Sequence, residues 1–197
     1  MNIAFFDFDG TITNSDTFFR FIRFSKGNLW FYAGIILLSP VLLFYRLGLI
    51  PNWKAKEIVF SFFFKGISES VLLQAGTNFA EEIIPKIIRP EAQKAIDFHR
   101  VEKDMIVVVT ASFSVWIKPW CDAGQMEIIA TEPEIKDGRV TGLIKGKNCH
   151  GLEKVKRIND AFDLNRFAKI YAYGDSSADM EMLNLADEKF LKWAKIN

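Results

Sequence analysis

Two carboxylates, Asp7 and Asp9, stand two positions apart at the end of the apolar run Ile3-Ala4-Phe5-Phe6, and Gly10-Thr11 follows at once. A buried strand has no use for charge at its end, and two like charges at this spacing repel. A divalent cation is the natural counter-charge, because hard cations take carboxylate oxygens. Gly10 lets the backbone turn sharply where the strand stops. Two further apolar runs close on polar groups. Met105 to Val109 ends in Thr110, and Ala168 to Tyr173 runs into Gly174-Asp175. A strand-end hydroxyl or a lone Asp before a helix is ordinary by itself. In open parallel α/β sheets, however, ligands bind beyond the carboxyl ends of the strands. Asp7, Asp9, Thr110 and Asp175 are therefore expected along one sheet edge.

The elements that must position these groups follow from periodicity. Asn14-Ser15-Asp16 supplies helix N-cap residues, and Phe18, Phe19, Phe21 and Ile22 follow at helical spacing. Leu29 to Tyr45 carries no charge, and Ser39-Pro40 interrupts it, so it reads as two short apolar helices or one kinked one. Three placements stand open for that stretch: a buried helical hairpin, favoured at this stage, a hairpin on a membrane surface, or a span at the short limit of length. Trp53 to Lys65, Ser68 to Ile88, Glu91 to Arg100, Ser114 to Cys121, Leu152 to Phe162 and Ala178 to Leu185 also read as helical. Glu127 to Thr131 reads as a short strand. Asp137-Gly138, between Glu134-Ile135-Lys136 and Arg139 to Ile144, reads as the tight turn of a separate β-hairpin. Phe190-Leu191 is placed in a last short strand. Strand and helix alternate from residue 91 onward, which gives an α/β fold: a Rossmann-like parallel sheet with helices on both faces, an inserted helical cap and a small β-hairpin. The expected division is a catalytic core of residues 1–13 and 89–197 and a cap of residues 14–88.

Composition narrows the function. The chain has 197 residues and a net charge of +1, so no global basic field points to nucleic acid. Cys121 and Cys149 make no disulfide framework, and the first strand begins at the third residue, so the expected setting is cytoplasmic. Charge is uneven nonetheless. From Thr17 to Lys65 the basic residues are Arg20, Arg23, Lys26, Arg46, Lys54, Lys56 and Lys65, and the only acid is Glu57. If the apolar stretch is exposed, that balance suits peripheral contact with an inner membrane face.

The sequence resembles the haloacid dehalogenase superfamily in four places, in the family's order. Asp7-Phe8-Asp9-Gly10-Thr11 matches the DxDGT motif, Thr110 the strand-end Ser or Thr, Lys154 the helix-start Lys, and Gly174-Asp175-Ser176-Ser177-Ala178-Asp179 the GDxxxD motif. The resemblance implies a Mg²⁺-dependent phosphomonoester hydrolase working through an aspartyl-phosphate. Asp7 would be the nucleophile and Asp9 the acid and base. Thr110, Ala111 and Lys154 would bind phosphate, with Lys147 or His150 as substitutes for Lys154. The metal set implied is Asp7, Asp9 through its carbonyl, Asp175 and Asp179, the last as an outer partner. A helical insertion between the first two motifs is similar to the phosphoserine phosphatase-like subfamily, in which Asp16 stands where a substrate-binding Glu is carried. No Arg for the serine carboxylate is matched; Arg20 and Arg46 are the nearest in the cap. The Phe-rich cap and Cys149 to Val155 look closer to bacterial phosphatidylglycerophosphatases of the C type. The partner implied is a phosphorylated small molecule or a phospholipid, phosphatidylglycerophosphate being the specific expectation. The alternatives kept beside it are a soluble small-molecule phosphatase or phosphotransferase, and a non-catalytic membrane-surface protein.

Overall fold

The computed structural model describes residues 1–197. Strand β1 (Ile3–Phe6) is followed by five helices, α1 (Thr17–Lys26), α2 (Asn28–Leu37), α3 (Ser39–Arg46), α4 (Asn52–Phe64) and α5 (Glu69–Glu82). Then come α6 (Pro90–Val101), β2 (Met105–Phe113), α7 (Ser114–Ala123), β3 (Glu127–Lys136), β4 (Arg139–Lys145), α8 (Leu152–Ala161), β5 (Ile170–Gly174), α9 (Met180–Leu183), β6 (Glu188–Leu191) and β7 (Ala194–Ile196). One sheet holds all seven strands in the order β4-β3-β2-β1-β5-β6-β7. The five inner strands are parallel and the edge strands β4 and β7 are antiparallel.

β1 lies at the centre and is buried on both faces, which is why it is apolar without alternation. Ile3 and Phe5 face one cluster with Val107, Val109 and Ala172. Ala4 and Phe6 face a larger one, with Ile106, Val108 and Tyr173, that continues into Phe21, Phe60, Phe64 and Phe79 of the inserted helices. The phenylalanines concentrated in the first part of the chain therefore attach the insertion to the sheet. Phe21 stacks on Trp116 of α7 at 4.4 Å and Phe60 on Phe113 at 4.3 Å between ring centroids.

The register delivers the motif residues. Phe6 pairs with Val108 on one side and Tyr173 on the other. Asp7 thus leaves the sheet level with Val109 and Gly174, one residue short of Thr110 and Asp175.

Several elements differ from the sequence expectation. The short strand at 127–131 and the first hairpin arm are one continuous strand, β3, with a register irregularity between Pro133 and Ile135. Proline has no N–H for the ladder, so pairing slips there without ending the strand. The Asp137-Gly138 turn is as expected, with φ of 51° and 70°. The helix expected over 68–88 stops at Glu82, and Pro85 sits in a 3-10 turn beyond it. α9 is only one turn long, preceded by a 3-10 turn over Ser177–Asp179.

The favoured placement of Leu29–Tyr45 as a buried hairpin does not hold. α2 and α3 form the two short helices expected at Ser39-Pro40, bent by 60°, but only Gly34 and Leu38 are buried. Leu29 is 84% exposed, Ile36 72% and Trp30 69%. The physical reason is local: Gly34 seats the pair on α4, where any side chain would strike Phe63, and beyond that contact the chain provides nothing to cover the outer face.

Close helix contact makes a second glycine consequential. A Cβ at Gly76 of α5 would collide with the backbone carbonyl of Val115 at the start of α7. Backbone cannot step aside as a side-chain tip can, so Gly76→Ala is expected to cost about 1–3 kcal/mol of stability by overpacking. Urea unfolding of the two proteins measures this, and an unchanged midpoint would refute it.

Candidate active site

Asp7 is buried at the end of β1. Its Oδ1 accepts from Lys154 Nζ at 2.6 Å and its Oδ2 from Thr11 Oγ1 at 3.1 Å. The peptide N–H of Asp7 donates to Tyr173 O at 2.9 Å, tying the two strand ends together. Lys154 lies buried in the first turn of α8, and it also donates to Asp179 Oδ1 at 2.8 Å. One ammonium therefore bridges two carboxylates. Burial alone would lower the Lys154 pKa, but Asp7 and Asp179 outweigh it and hold the group above the ordinary lysine range. Burial pushes Asp7 the other way, up to about 7, against the pull of Lys154.

Asp179 is the best-anchored acid. Its Oδ2 accepts from Ser176 Oγ at 2.9 Å and from the peptide N–H groups of Ser176 and Asp175 at 3.2 and 3.3 Å. Burial would raise its pKa, yet Lys154 and these donors bring it below the usual carboxylate range. Asp175 is half-buried and shifted upward, by burial and then by neighbouring Asp179. Gly10 makes room for it: at φ 89° the glycine takes a conformation other residues avoid, and a Cβ there would occupy the place of the Asp175 carboxylate.

Asp9 faces the helical side. Its Oδ1 accepts from the peptide N–H of Thr17 at 2.7 Å, and its Oδ2 from Ser112 Oγ. Thr17 Oγ1 in turn accepts from Trp116 Nε1 at 3.1 Å. Burial, followed by the nearby Asp16 charge, raises Asp9 to about 6. Thr110 is buried beside these groups, and its Oγ1 accepts from the Ser112 N–H at 3.0 Å, so the backbone curls at the end of the straight β2 run.

Asp7, Asp9, Thr110, Ala111, Lys154, Asp175, Asp179 and Asp16 line one cavity of about 240 Å³. Asp16 stands at its rim, where it caps α1 by accepting from the Phe18 N–H at 2.8 Å. His150 reaches the same cavity from an exposed position. Lys147 is exposed and does not line it, so Lys154 is the lysine beside Asp7. Four further residues emerge that sequence reasoning missed. Ser112 and Thr17 hold Asp9. Arg89 donates from Nε to the carbonyls of Gly10 and Thr13 at 3.0 and 3.2 Å and braces the turn after β1. Lys56 of α4 donates to Ala111 O at 2.7 Å. Ser112 directly follows Thr110 and Ala111, so its neighbourhood was the signal; the other three carry no local signal.

The donors fit a hard divalent cation such as Mg²⁺. One oxygen each from Asp7, Asp175 and Asp179 lie within 4.8 Å of one another. Asp179 is committed to Lys154 and three further donors and Asp7 accepts one bond at each oxygen, so Asp175 is the least committed carboxylate of the three. The Asp9 carboxylate is turned to Thr17 and Ser112 and is not part of that cluster.

A family model described as haloacid dehalogenase-like hydrolase matches residues 4–184. Protein CicA of Caulobacter vibrioides is 35% identical over 188 residues, covering 93% of this chain and 82% of its own length. A histidinol-phosphatase of Neisseria meningitidis is 32% identical over 116 residues, 55% of this chain and 52% of its own. A crystal structure of a protein of unknown function from Bordetella pertussis superposes with a TM-score of 0.84 at 25% identity, covering 96% of this chain and 89% of that one. A phosphoserine phosphatase solved as a phospho-aspartyl intermediate analogue shares the fold, with a TM-score of 0.60 at 18% identity over 96% of this chain and 85% of its own. The chain belongs to the haloacid dehalogenase-like hydrolases.

Proposed function

We propose that this hydrolase is a phosphomonoesterase that works through an aspartyl-phosphate on Asp7. The observation that carries the reading is Lys154, bonded to Asp7 at 2.6 Å and to Asp179 at 2.8 Å where the central strand ends. Asp7 attacks phosphorus, its Oδ–P bond forms, and the bond from phosphorus to the leaving oxygen breaks. Asp9 gives its proton to that oxygen, and a shift to about 6 keeps a protonated fraction available near neutrality. Water then attacks phosphorus and gives a proton to the Asp9 carboxylate, the Asp7 Oδ–P bond breaks, and inorganic phosphate leaves with both aspartates restored. Lys154 offsets charge on Asp7 and on the transferring group, and the Thr110 hydroxyl with the Ala111 N–H receives phosphate oxygens. Asp7, Asp175 and the Asp9 carbonyl would hold Mg²⁺, which when bound would neutralise charge on the transferring group.

For substrate class the reading is a phospholipid head-group phosphate, with phosphatidylglycerophosphate the named candidate. The support is the placement of α3. Leu42 and Tyr45 line the cavity along with Phe18, Phe19, Ala55 and Val59, while Leu43 and Phe44 on the same helix are exposed. One short helix thus joins the site to an uncovered apolar face, which would rest on the inner leaflet of a membrane. A phosphate-release screen over phosphorylated lipids in micelles, phospho-amino acids and sugar phosphates tests this. Mg²⁺-dependent release, fastest from a lipid, is expected. Fastest release from a sugar phosphate or amino-acid phosphate would make it a small-molecule phosphatase, and transfer to added alcohol in preference to water would make it a phosphotransferase.

A further inference from the structure

Lys56 is the one cation that the inserted helices contribute to the cavity wall, and the mechanism above does not use it. It comes from the middle of α4. Its ammonium donates to Ala111 O at 2.7 Å and to Asn148 Oδ1 at 3.1 Å. Asn148 is itself fixed, accepting from Thr131 Oγ1 at 3.1 Å. Both acceptors of Lys56 are neutral. A lysine ammonium carries three donors, so one N–H is left without a partner, and no carboxylate is bonded to the charge, which Asp9 and Asp16 attract only from a distance. Lys154 differs in this respect, because two carboxylates neutralise it.

Position says what Lys56 meets. In phosphoryl transfer the attacking and leaving oxygens lie roughly in line across phosphorus. Asp7 attacks from the sheet edge, so the leaving group points away from the sheet, into the space beneath α1, α3 and α4. The residues of these helices that line the space are Asp16 and a set of apolar and aromatic side chains, with Asn52 and Lys56. A bare alcohol leaving group would offer Lys56 an oxygen to bond but no opposite charge.

We infer that Lys56 is a specificity-determining residue that binds a second anionic group, of phosphodiester or carboxylate type, on the leaving portion of the substrate. The inference rests on the phosphomonoesterase reading and deepens it. Burial already lowers the Lys56 pKa to about 8, which an arriving anion would reverse. Charge-assisted hydrogen bonds of this kind correspond to roughly 10- to 100-fold in affinity.

The test compares two water-soluble esters, glycerol phosphate and glycerol phosphate bearing a phosphodiester at its other end, with wild-type protein, Lys56→Met and Lys56→Arg. Wild type is expected to favour the two-anion ester. Lys56→Met should raise its KM about 10- to 100-fold more than it raises the KM of glycerol phosphate, so that the preference is lost. Lys56→Arg should restore much of the preference. Equal loss on both esters would overturn the inference, since Lys56 would then serve the fold or the transferring group. So would a wild-type enzyme without preference. Calorimetric binding of the matching non-hydrolysable phosphonates to the same proteins gives the answer independently of turnover. If no ester is hydrolysed, the phosphatase reading fails while the affinity difference still decides the role of Lys56.

Discussion

Asp7→Asn is expected to remove turnover, by a factor on the order of 10⁴ or more, as loss of a nucleophile does elsewhere. The side chain keeps its shape but loses the anionic oxygen that would attack phosphorus. The fold should survive, because Lys154 keeps Asp179 at 2.8 Å and an amide in place of a buried carboxylate removes a desolvation cost. A thermal melt within a few degrees of wild type would establish that. Beryllium fluoride with Mg²⁺, which mimics a carboxylate-bound phosphoryl group, should raise the melting temperature of wild type and not of the variant. Asp9→Asn provides the contrast. An aryl phosphate needs little proton donation to its leaving oxygen, whereas an alkyl phosphate needs a great deal. Asp9→Asn should therefore slow the first, phosphoryl-accepting step far more for the alkyl ester. Near-wild-type turnover by Asp7→Asn would end the covalent mechanism, and equal defects of Asp9→Asn on both esters would remove the acid role.

The groups read from sequence were those whose chemistry is local. Asp7, Asp9, Thr110 and Asp175 each end an apolar strand run, and a parallel sheet brings such ends together whatever the rest of the chain does. Lys154 and Asp179 lie one helix turn into the segments that follow. Lys56 gave no such sign, since a lysine inside a Phe-rich helix is indistinguishable from a solvated one until α4 is seen above Ala111. β6 is the last short strand expected at Phe190-Leu191, but its hairpin partner β7 was missed for a different reason. Its turn is Lys192-Trp193, with φ of 51° and 67°, conformations that Asn and Gly signal and these residues do not. The exposure of α2 and α3 was misjudged because hydrophobicity reports a preference for leaving water, and burial is only one way to satisfy it.

The exposed hairpin sets up the second large effect. α2 and α3 are about 15 and 12 Å long at 1.5 Å per residue, and they meet at a bend of 60°. Neither is long enough to cross a hydrocarbon core of about 30 Å, but together they present Leu29, Trp30, Ile36, Leu37, Leu43 and Phe44 to the outside. Monomers seldom leave such a face open without a use for it. Arg46 ends α3 and Arg20 and Arg23 are exposed on neighbouring α1, while Glu57, the only acid in this stretch, is buried, its Oε1 accepting from the Ile144 N–H at 3.1 Å and its Oε2 paired with Lys54 at 3.3 Å. The apolar face is thus bordered by positive charge with no exposed acid from Thr17 to Lys65. Each large apolar side chain taken out of water contributes about 1.5–3 kcal/mol, and each basic residue near an anionic surface about 1 kcal/mol. The protein is expected to sediment with vesicles of phosphatidylcholine and phosphatidylglycerol, with a blue shift in tryptophan emission from Trp30. Trp30→Gln combined with Ile36→Gln should weaken partitioning by about 100-fold or more, while hydrolysis of a soluble ester stays unchanged, because neither residue lines the cavity. High salt should remove the preference for the anionic lipid and leave the apolar component. A protein that stays in the supernatant at low salt, or one that sediments in buffer alone as a dimer abolished by the same two substitutions, would refute docking and leave a soluble phosphomonoester as the substrate.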